Sequence, residues 1–148
     1  MGRVEKSIEI KASLEKVWQM LALDRLPEWT EGLRKSGEYI SEVRTPEDKY
    51  RVGALTRTNI KGAGTIDFEI MECLENEKIR YRMIGKRANN TVVTYILEPF
   101  EEGTKFVYVM TYELPWGIIG KFFGKLAKGM LEKEGERSLE QLKSILEK

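Results

Sequence analysis

Carboxylates, tyrosines, lysines and arginines are the side chains with which this sequence could perform chemistry. Its 148 residues include no histidine, so the commonest acid–base catalyst at neutral pH and the commonest metal ligand are both missing. A lone cysteine, Cys73, excludes an internal disulfide and a cysteine-rich zinc site. We therefore expect neither a metal nor a cofactor. Any catalytic base would be a carboxylate or a lysine whose pKa is shifted by burial.

Carboxylates in the predicted strands and in the long helix are the polar candidates. Asp67 and Glu69 alternate with the apolar residues of their strand, so we expect both to be solvated. Glu72 follows the numbering of the apolar set but lies near the end of that strand. Glu134, in the polar middle of the long helix, fits an ordinary surface ion pair with Arg137 at i+3. A carboxylate that faced a cavity would instead have a raised pKa and suit general acid or base catalysis.

Aromatic, methionine and aliphatic residues form a larger set on one face of the predicted strands and on the long helix. Buried tyrosine hydroxyls need partners, which a ligand, a water or a neighbouring carboxylate would supply. Core packing explains each residue at least as well as cavity lining does, and methionine suits both roles. Trp29 fits a cavity mouth and a structural anchor equally well. The other members are Phe68, Ile70, Tyr81, Met83, Tyr95, Leu97, Tyr108, Met110, Tyr112, Phe122, Phe123, Leu126 and Met130.

The periodicity of apolar residues predicts the elements that position this set. Val4, Ile8 and Ile10 alternate with polar residues, as in a half-buried strand. Ser13 is a typical N-cap for a first short helix over about 13–23, and a second short helix or turn follows near Trp29. Further strands with short connections indicate an antiparallel meander, with one apolar face and one solvent-exposed face. We place these strands at about 37–44, 52–60, 64–74, 77–85, 91–99 and 104–114.

A long helix over about 117–147 completes the chain. Apolar residues from Ile119 to Met130 repeat at helical spacing, and the stripe resumes at Leu139. Gly129 and Gly135 lie inside this helix, where each costs about 1 kcal/mol relative to alanine. A packed helix tolerates such glycines where close approach is required.

The composition restricts the class of protein. A hydrophobic fraction of 41% supports a real core, and the length fits one domain over residues 1–148. A net charge of +1 does not indicate the excess of basic residues that nucleic-acid binding requires. No apolar run approaches the roughly 20 residues of a membrane helix, so we expect no stable membrane insertion. We expect a cytoplasmic protein, and its dense, balanced charge is typical of thermophiles. The sequence does not indicate an oligomeric state.

Four motifs, in order along the whole chain, resemble the START-like or SRPBCC superfamily. The segment Ile8–Trp18, IEIKASLEKVW, resembles the superfamily's opening I-x-A-(S/P)-x-x-x-V-W pattern. Pro27–Trp29 follows where these proteins often have a proline–tryptophan pair. Val52-Gly53 opens the third strand, and Gly103-Thr104 opens the seventh, as the GT of the family's hairpin commonly does. The superfamily includes birch-pollen-allergen proteins, polyketide cyclases and coenzyme-Q-binding proteins.

The resemblance implies an α+β helix-grip fold. A curved seven-stranded antiparallel sheet would wrap the long C-terminal helix, with two short helices between strands 1 and 2. It further implies a cavity between sheet and helix, lined by Trp29 and the apolar set above, that binds or transports a hydrophobic small molecule. Such a ligand would be lipid-like, isoprenoid or an aromatic polyketide.

Two other functions remain open. The first is a polyketide cyclase/dehydrase-like enzyme that uses tyrosine and a carboxylate, although the missing histidine disfavours it. The second is a protein-interaction module, which would need a contiguous exposed apolar patch, for which Trp116–Phe123 is the candidate segment.

Overall fold

The computed structural model describes residues 2–30, 37–40, 50–60, 64–86, 88, 90–113 and 117–148, without the side chains of 24, 37–40, 60, 117–124 and 127. Its elements are the strands β1 Gly2–Ile10, β2 Gly37–Ile40, β3 Leu55–Ile60, β4 Gly64–Leu74, β5 Lys78–Ile84, β6 Val92–Phe100 and β7 Gly103–Tyr112, the helices α1 Leu14–Gln19 and α2 Gly117–Leu146, and a 3₁₀ helix Leu23–Glu28.

The strands form one antiparallel sheet in the order β1-β7-β6-β5-β4-β3-β2. Six of them have six or more residues, and the seventh, β2, is a four-residue segment on the edge beside β3. The main sheet therefore has six long strands rather than seven, and of the strand expected over 37–44 the structure describes Gly37–Ile40. The rest of that range lies outside the described residues. The predicted α+β helix-grip architecture is confirmed.

The two short helices connect β1 to β2 as predicted, but α1 is shorter than expected. The Ser13 hydroxyl accepts a 3.3 Å hydrogen bond from the Lys16 amide and caps the helix. The helix ends at Gln19, and the chain then enters the 3₁₀ helix. Side chains from other elements bind the freed carbonyls: the Trp29 indole donates to Met20 O, and the Tyr81 hydroxyl donates to Leu21 O. Tertiary contacts therefore decide where α1 ends.

A β-bulge between Ile70 and Glu72 reverses the sides of the sheet on which the last residues of β4 lie. The inserted residue turns Glu72 to the same face as Arg80, with which it forms a 3.6 Å ion pair. Asp67 and Glu69 are also on this outer face, as predicted, and pair with arginines of the neighbouring strands at 2.9 Å and 2.6 Å. These carboxylates are therefore remote from the interior.

The C-terminal half of α2 lies along β1. Lys6 forms a 3.0 Å ion pair with Glu136, and Lys143 Nζ donates a 2.7 Å hydrogen bond to the Glu9 carbonyl. Leu139 and Leu142 are buried beneath these polar contacts. Among the described residues, no helix has the length and apolar character needed to cross a membrane.

Candidate functional site

An internal cavity of about 80 Å³ lies between the apolar face of the sheet, the end of the 3₁₀ helix and α2. Strands β4 to β7 contribute most of its wall because alternate residues of each strand point inward. Seven residues of the predicted set line it: Trp29, Phe68, Tyr81, Met83, Tyr95, Tyr108 and Met110.

The remaining members of the predicted set are not part of this wall. Ile70, Leu97 and Tyr112 are buried in the surrounding core but do not line the cavity. Phe122 and Phe123 have side chains outside the described residues. The candidate interaction segment 116–123 lies there too, so the structure does not describe its surface.

The expectation that Leu126 and Met130 line the cavity is wrong. Their side chains are 61% and 73% exposed. At about 100° per residue, they lie roughly opposite Gly135, Leu139 and Leu142, three of the buried residues of the same helix. Among the described side chains of α2, Leu126 and Met130 therefore lie on a different side from the buried C-terminal residues, which face the sheet.

Five lining residues were not predicted: Leu26, Thr30, Val93, Glu134 and Ser138. Glu134 matters most, because it is a half-buried acidic residue that lines the cavity, a role that the sequence did not indicate for it. Its ion pair with Arg137 stays a prediction. The spacing of Glu134, Ser138 and Leu142 at i, i+4 and i+8 was the available signal. It aligns Glu134 with the buried side of the helix.

Trp29 is both an anchor and a lining residue, so the two interpretations of this residue are compatible. It is 1% exposed, and its indole Nε1 donates a 2.8 Å hydrogen bond to the Met20 carbonyl. Its ring centroid lies 5.3 Å from that of Tyr95, which in turn is 5.9 Å from Tyr108 in a stacked arrangement. The short helices are thereby fixed to the aromatic wall.

Polar atoms are concentrated at one part of the wall. Thr30 Oγ1 is buried and has no hydrogen-bond partner among the described residues. Within the described ranges the Tyr108 hydroxyl donates only to Met110 Sδ, at 3.6 Å, and a thioether is a weak acceptor. Buried hydroxyls normally have partners, so this part of the cavity retains hydrogen-bonding capacity for a ligand or a water.

Burial keeps the phenols of Tyr95 and Tyr108 protonated. The pKa of Tyr95 is raised well above its usual value, first by burial and then by Tyr108 and Glu134. The neighbouring Thr30 hydroxyl acts in the opposite direction and lowers this pKa. The pKa of Tyr108 is also raised, by burial and by Glu134. Both phenols are therefore neutral donors at physiological pH.

We expect Tyr95 and Tyr108 to ionise only as the protein unfolds in alkali, because burial raises the pKa of both phenols. Because their folded pKa values are raised, their contribution to stability is complete below about pH 10 and is lost as the pH rises further. Absorbance of tyrosinate during a pH titration, compared with circular dichroism at the same pH values, measures this. Tyr95→Phe should remove one tyrosine from the absorbance change that accompanies unfolding. Ionisation of both tyrosines while the circular dichroism spectrum is still that of the folded protein would contradict the assignment.

The described residues contain no group of three or more histidine, cysteine or acidic side chains suited to a metal ion. The geometry provides instead aromatic faces, flexible methionine side chains, neutral hydroxyls and one carboxylate. This arrangement can enclose an apolar group and orient a polar one.

Fold and site together define a helix-grip protein with an apolar internal cavity. The chain matches the family described as polyketide cyclase / dehydrase and lipid transport over residues 1–147, and it belongs to that family. The family is of the SRPBCC type that the sequence motifs resemble. Among curated proteins, none matches the chain significantly.

Solved structures with low sequence identity share this fold. A protein from Chromobacterium violaceum is 17% identical with a TM-score of 0.72, over 100% of this chain and 99% of that one. A Bacillus halodurans protein is 16% identical with a TM-score of 0.73, covering 99% and 97%. DynU16, a protein of the dynemicin biosynthetic locus, is 16% identical with a TM-score of 0.69, and the match covers 98% of this chain but 47% of that one.

Proposed function

We propose that this protein binds a hydrophobic small molecule in the cavity between its sheet and α2. The observation that carries the proposal is the cavity wall, in which aromatic and methionine side chains surround a buried threonine hydroxyl that has no hydrogen-bond partner in the described part of the chain. A site of this kind is mostly apolar with a few polar groups that orient the ligand. Membership of a family that includes lipid transport supports the same function.

The size of the cavity restricts how a ligand enters. A volume of about 80 Å³ is smaller than the engineered cavity of about 150 Å³ that accommodates benzene, so a ligand larger than a few heavy atoms must widen it. Met83 and Met110 are only partly buried and can change rotamer more readily than the aromatic residues. We therefore expect these two side chains to move when a ligand binds.

Titration with 1-hexanol tests the proposal. Methyl resonances of isotope-labelled methionine should shift in a saturable way for Met83 and Met110, which line the cavity. The methyl group of Met71, which is 42% exposed, is the internal control and should not shift. Solvent extraction of the purified protein followed by mass spectrometry would identify a ligand retained from the cell. Unchanged cavity methyl resonances in saturating hexanol, together with an empty extract, would contradict the proposal.

A second candidate function is cyclase- or dehydrase-like catalysis, and the position of Glu134 in the cavity wall favours it. This carboxylate lies close enough to Tyr95 and Tyr108 to raise the pKa of both phenols. A carboxylate base beside neutral phenol donors is an arrangement that could enolise a bound ketone. If so, Glu134→Gln should abolish turnover of the substrate while leaving its binding measurable.

A further inference from the structure

One side of the N-terminal half of α2 is apolar and exposed. The side chains of Leu126 and Met130 are 61% and 73% exposed, and their spacing of i and i+4 makes them neighbours on the helix. Among the described residues, no heavy atom lies within 4 Å of a Cβ atom built at Gly129, which stands between them in the chain. Leu139 and Leu142, which are buried, belong to the C-terminal half of the helix. The described part of the chain therefore leaves this apolar pair uncovered.

Lysines border the apolar pair. Lys125 and Lys128 are both exposed and lie within one turn of Leu126. Within the described ranges, neither ammonium group forms an ion pair or a hydrogen bond. Lys143, near the other end of α2, instead pairs with Glu147 at 3.0 Å. The two lysines beside the apolar pair are therefore available to an external anion.

Acidic residues are missing from this half of the helix. Residues 117–131 contain three lysines and neither aspartate nor glutamate, whereas residues 132–146 contain four glutamates. The chain as a whole has a net charge of only +1, so the positive charge is a local property of this half. Exposed apolar side chains bordered by lysines are typical of a helix that lies in the interface of an anionic bilayer.

We propose that the surface formed by Lys125, Leu126, Lys128 and Met130 binds an anionic lipid bilayer. Leu126 and Met130 would enter the headgroup region, and the flexible lysine side chains would extend to the lipid phosphates. Such contact is peripheral and reversible, and it does not require a helix that crosses the membrane. The proposal goes beyond ligand binding in the cavity and does not depend on it.

A second copy of the chain fits the same surface less well. In a two-fold symmetric contact the same patch of both copies meets, so Lys125 and Lys128 of one copy would face those of the other. Residues 117–131 provide no carboxylate to neutralise these ammonium groups. Anionic lipid headgroups instead present the opposite charge over a continuous surface, beside an apolar layer that accepts Leu126 and Met130. Charge complementarity therefore favours the bilayer.

Flotation with lipid vesicles tests the proposal. Vesicles of phosphatidylcholine with about 30% phosphatidylglycerol should bind the protein at least about tenfold more strongly than vesicles of phosphatidylcholine alone. About 0.5 M NaCl should remove most of this binding, because it shortens the Debye length. Equal binding to both kinds of vesicle, or no binding to the anionic vesicles, would overturn the proposal. Neither result would affect the hexanol titration that tests the cavity.

Removing the two lysines tests the electrostatic part of the surface. The double variant Lys125→Gln/Lys128→Gln should lower the partition coefficient on anionic vesicles about 30-fold, since each lysine near such a surface contributes a factor of about five. The matched control is Lys16→Gln/Lys148→Gln, which removes the same net charge at two exposed positions, on α1 and at the end of the chain. It should bind as the wild type does. An equal loss in both double variants would show a dependence on net charge alone and would overturn the proposal.

Removing the apolar pair tests the other part of the surface. Leu126→Gln/Met130→Gln should lower the same partition coefficient at least about tenfold. Leu74→Gln, at an apolar residue of β4 that is 48% exposed, is the control and should bind as the wild type does. Circular dichroism verifies the fold of each variant. Wild-type binding by a folded Leu126→Gln/Met130→Gln variant would overturn the proposal. So would a dimer, detected without vesicles by analytical ultracentrifugation, that this variant dissociates, because it would assign the surface to a second copy.

Discussion

Replacing Gly103 by alanine is expected to destabilise the protein by about 3 kcal/mol, which lowers the melting temperature by roughly 6–12 °C for a domain of this size. A Cβ atom at Gly103 would overlap the carbonyl oxygen of Ile10 and lie 3.0 Å from its carbonyl carbon. Both obstacles are backbone atoms of β1, which β7 holds by pairing along its whole length. Neither strand can move away without loss of the ladder.

The neighbouring residue, Thr104, stabilises the same junction between β1 and β7. Thr104 Oγ1 donates a 2.8 Å hydrogen bond to the Ala12 carbonyl, just before the N-cap of α1. The Gly103-Thr104 pair therefore has a physical reason in this chain: the glycine allows close approach, and the threonine secures the chain that leaves β1. Substituting either residue should also weaken the packing of the short helices that position Trp29.

Gly129→Ala is the matched control for this prediction. No heavy atom lies within 4 Å of a Cβ built at this helical glycine, so alanine adds helix propensity without a clash. We expect a gain of up to about 1 kcal/mol. Thermal and urea unfolding, followed by circular dichroism, measure both variants. Equal melting temperatures for Gly103→Ala and the wild type would show that the two strands are further apart than described.

Most of the fold follows from local patterns, because each long strand has one buried face. The alternation in β4 identifies its inner residues up to Ile70. The bulge that follows is not visible as a change in residue type, since Glu72 keeps the numbering of the apolar set. The face of the sheet on which each residue after Ile70 lies depends on how β4 pairs with β5, and this pairing is a tertiary property.

The site was less predictable, and α2 shows why. The sequence does not distinguish Gly129 from Gly135, since both are glycines inside the same helix. In the structure, a Cβ atom at Gly135 would lie 3.1 Å from Tyr108 Cε1, whereas a Cβ atom at Gly129 would have no heavy atom within 4 Å. Gly135 therefore brings the helix close to the aromatic wall and helps to bring Glu134 into the cavity. Periodicity identifies apolar stripes, but it does not identify which stripe packs against the sheet. A charged lining residue is consequently harder to predict than an apolar one.

Replacing Met110 by tryptophan is expected to weaken binding of 1-hexanol by about 100-fold, a change of about 2.7 kcal/mol in binding free energy. Met110 lines the cavity and is only partly buried. A larger side chain can therefore occupy the cavity of about 80 Å³ with less strain than at a fully buried position. The filled cavity would leave no space for the ligand.

Met71→Trp is the control, because it makes the same substitution at a residue of β4 that is 42% exposed. It should bind hexanol as the wild type does. Titration calorimetry, or the methyl resonance of Met83, which both variants retain, gives the dissociation constants, and circular dichroism verifies that both variants fold. Undiminished binding by a folded Met110→Trp variant would place the ligand elsewhere in the molecule. Weakened binding in this variant alone would locate the ligand in the cavity between β7 and α2.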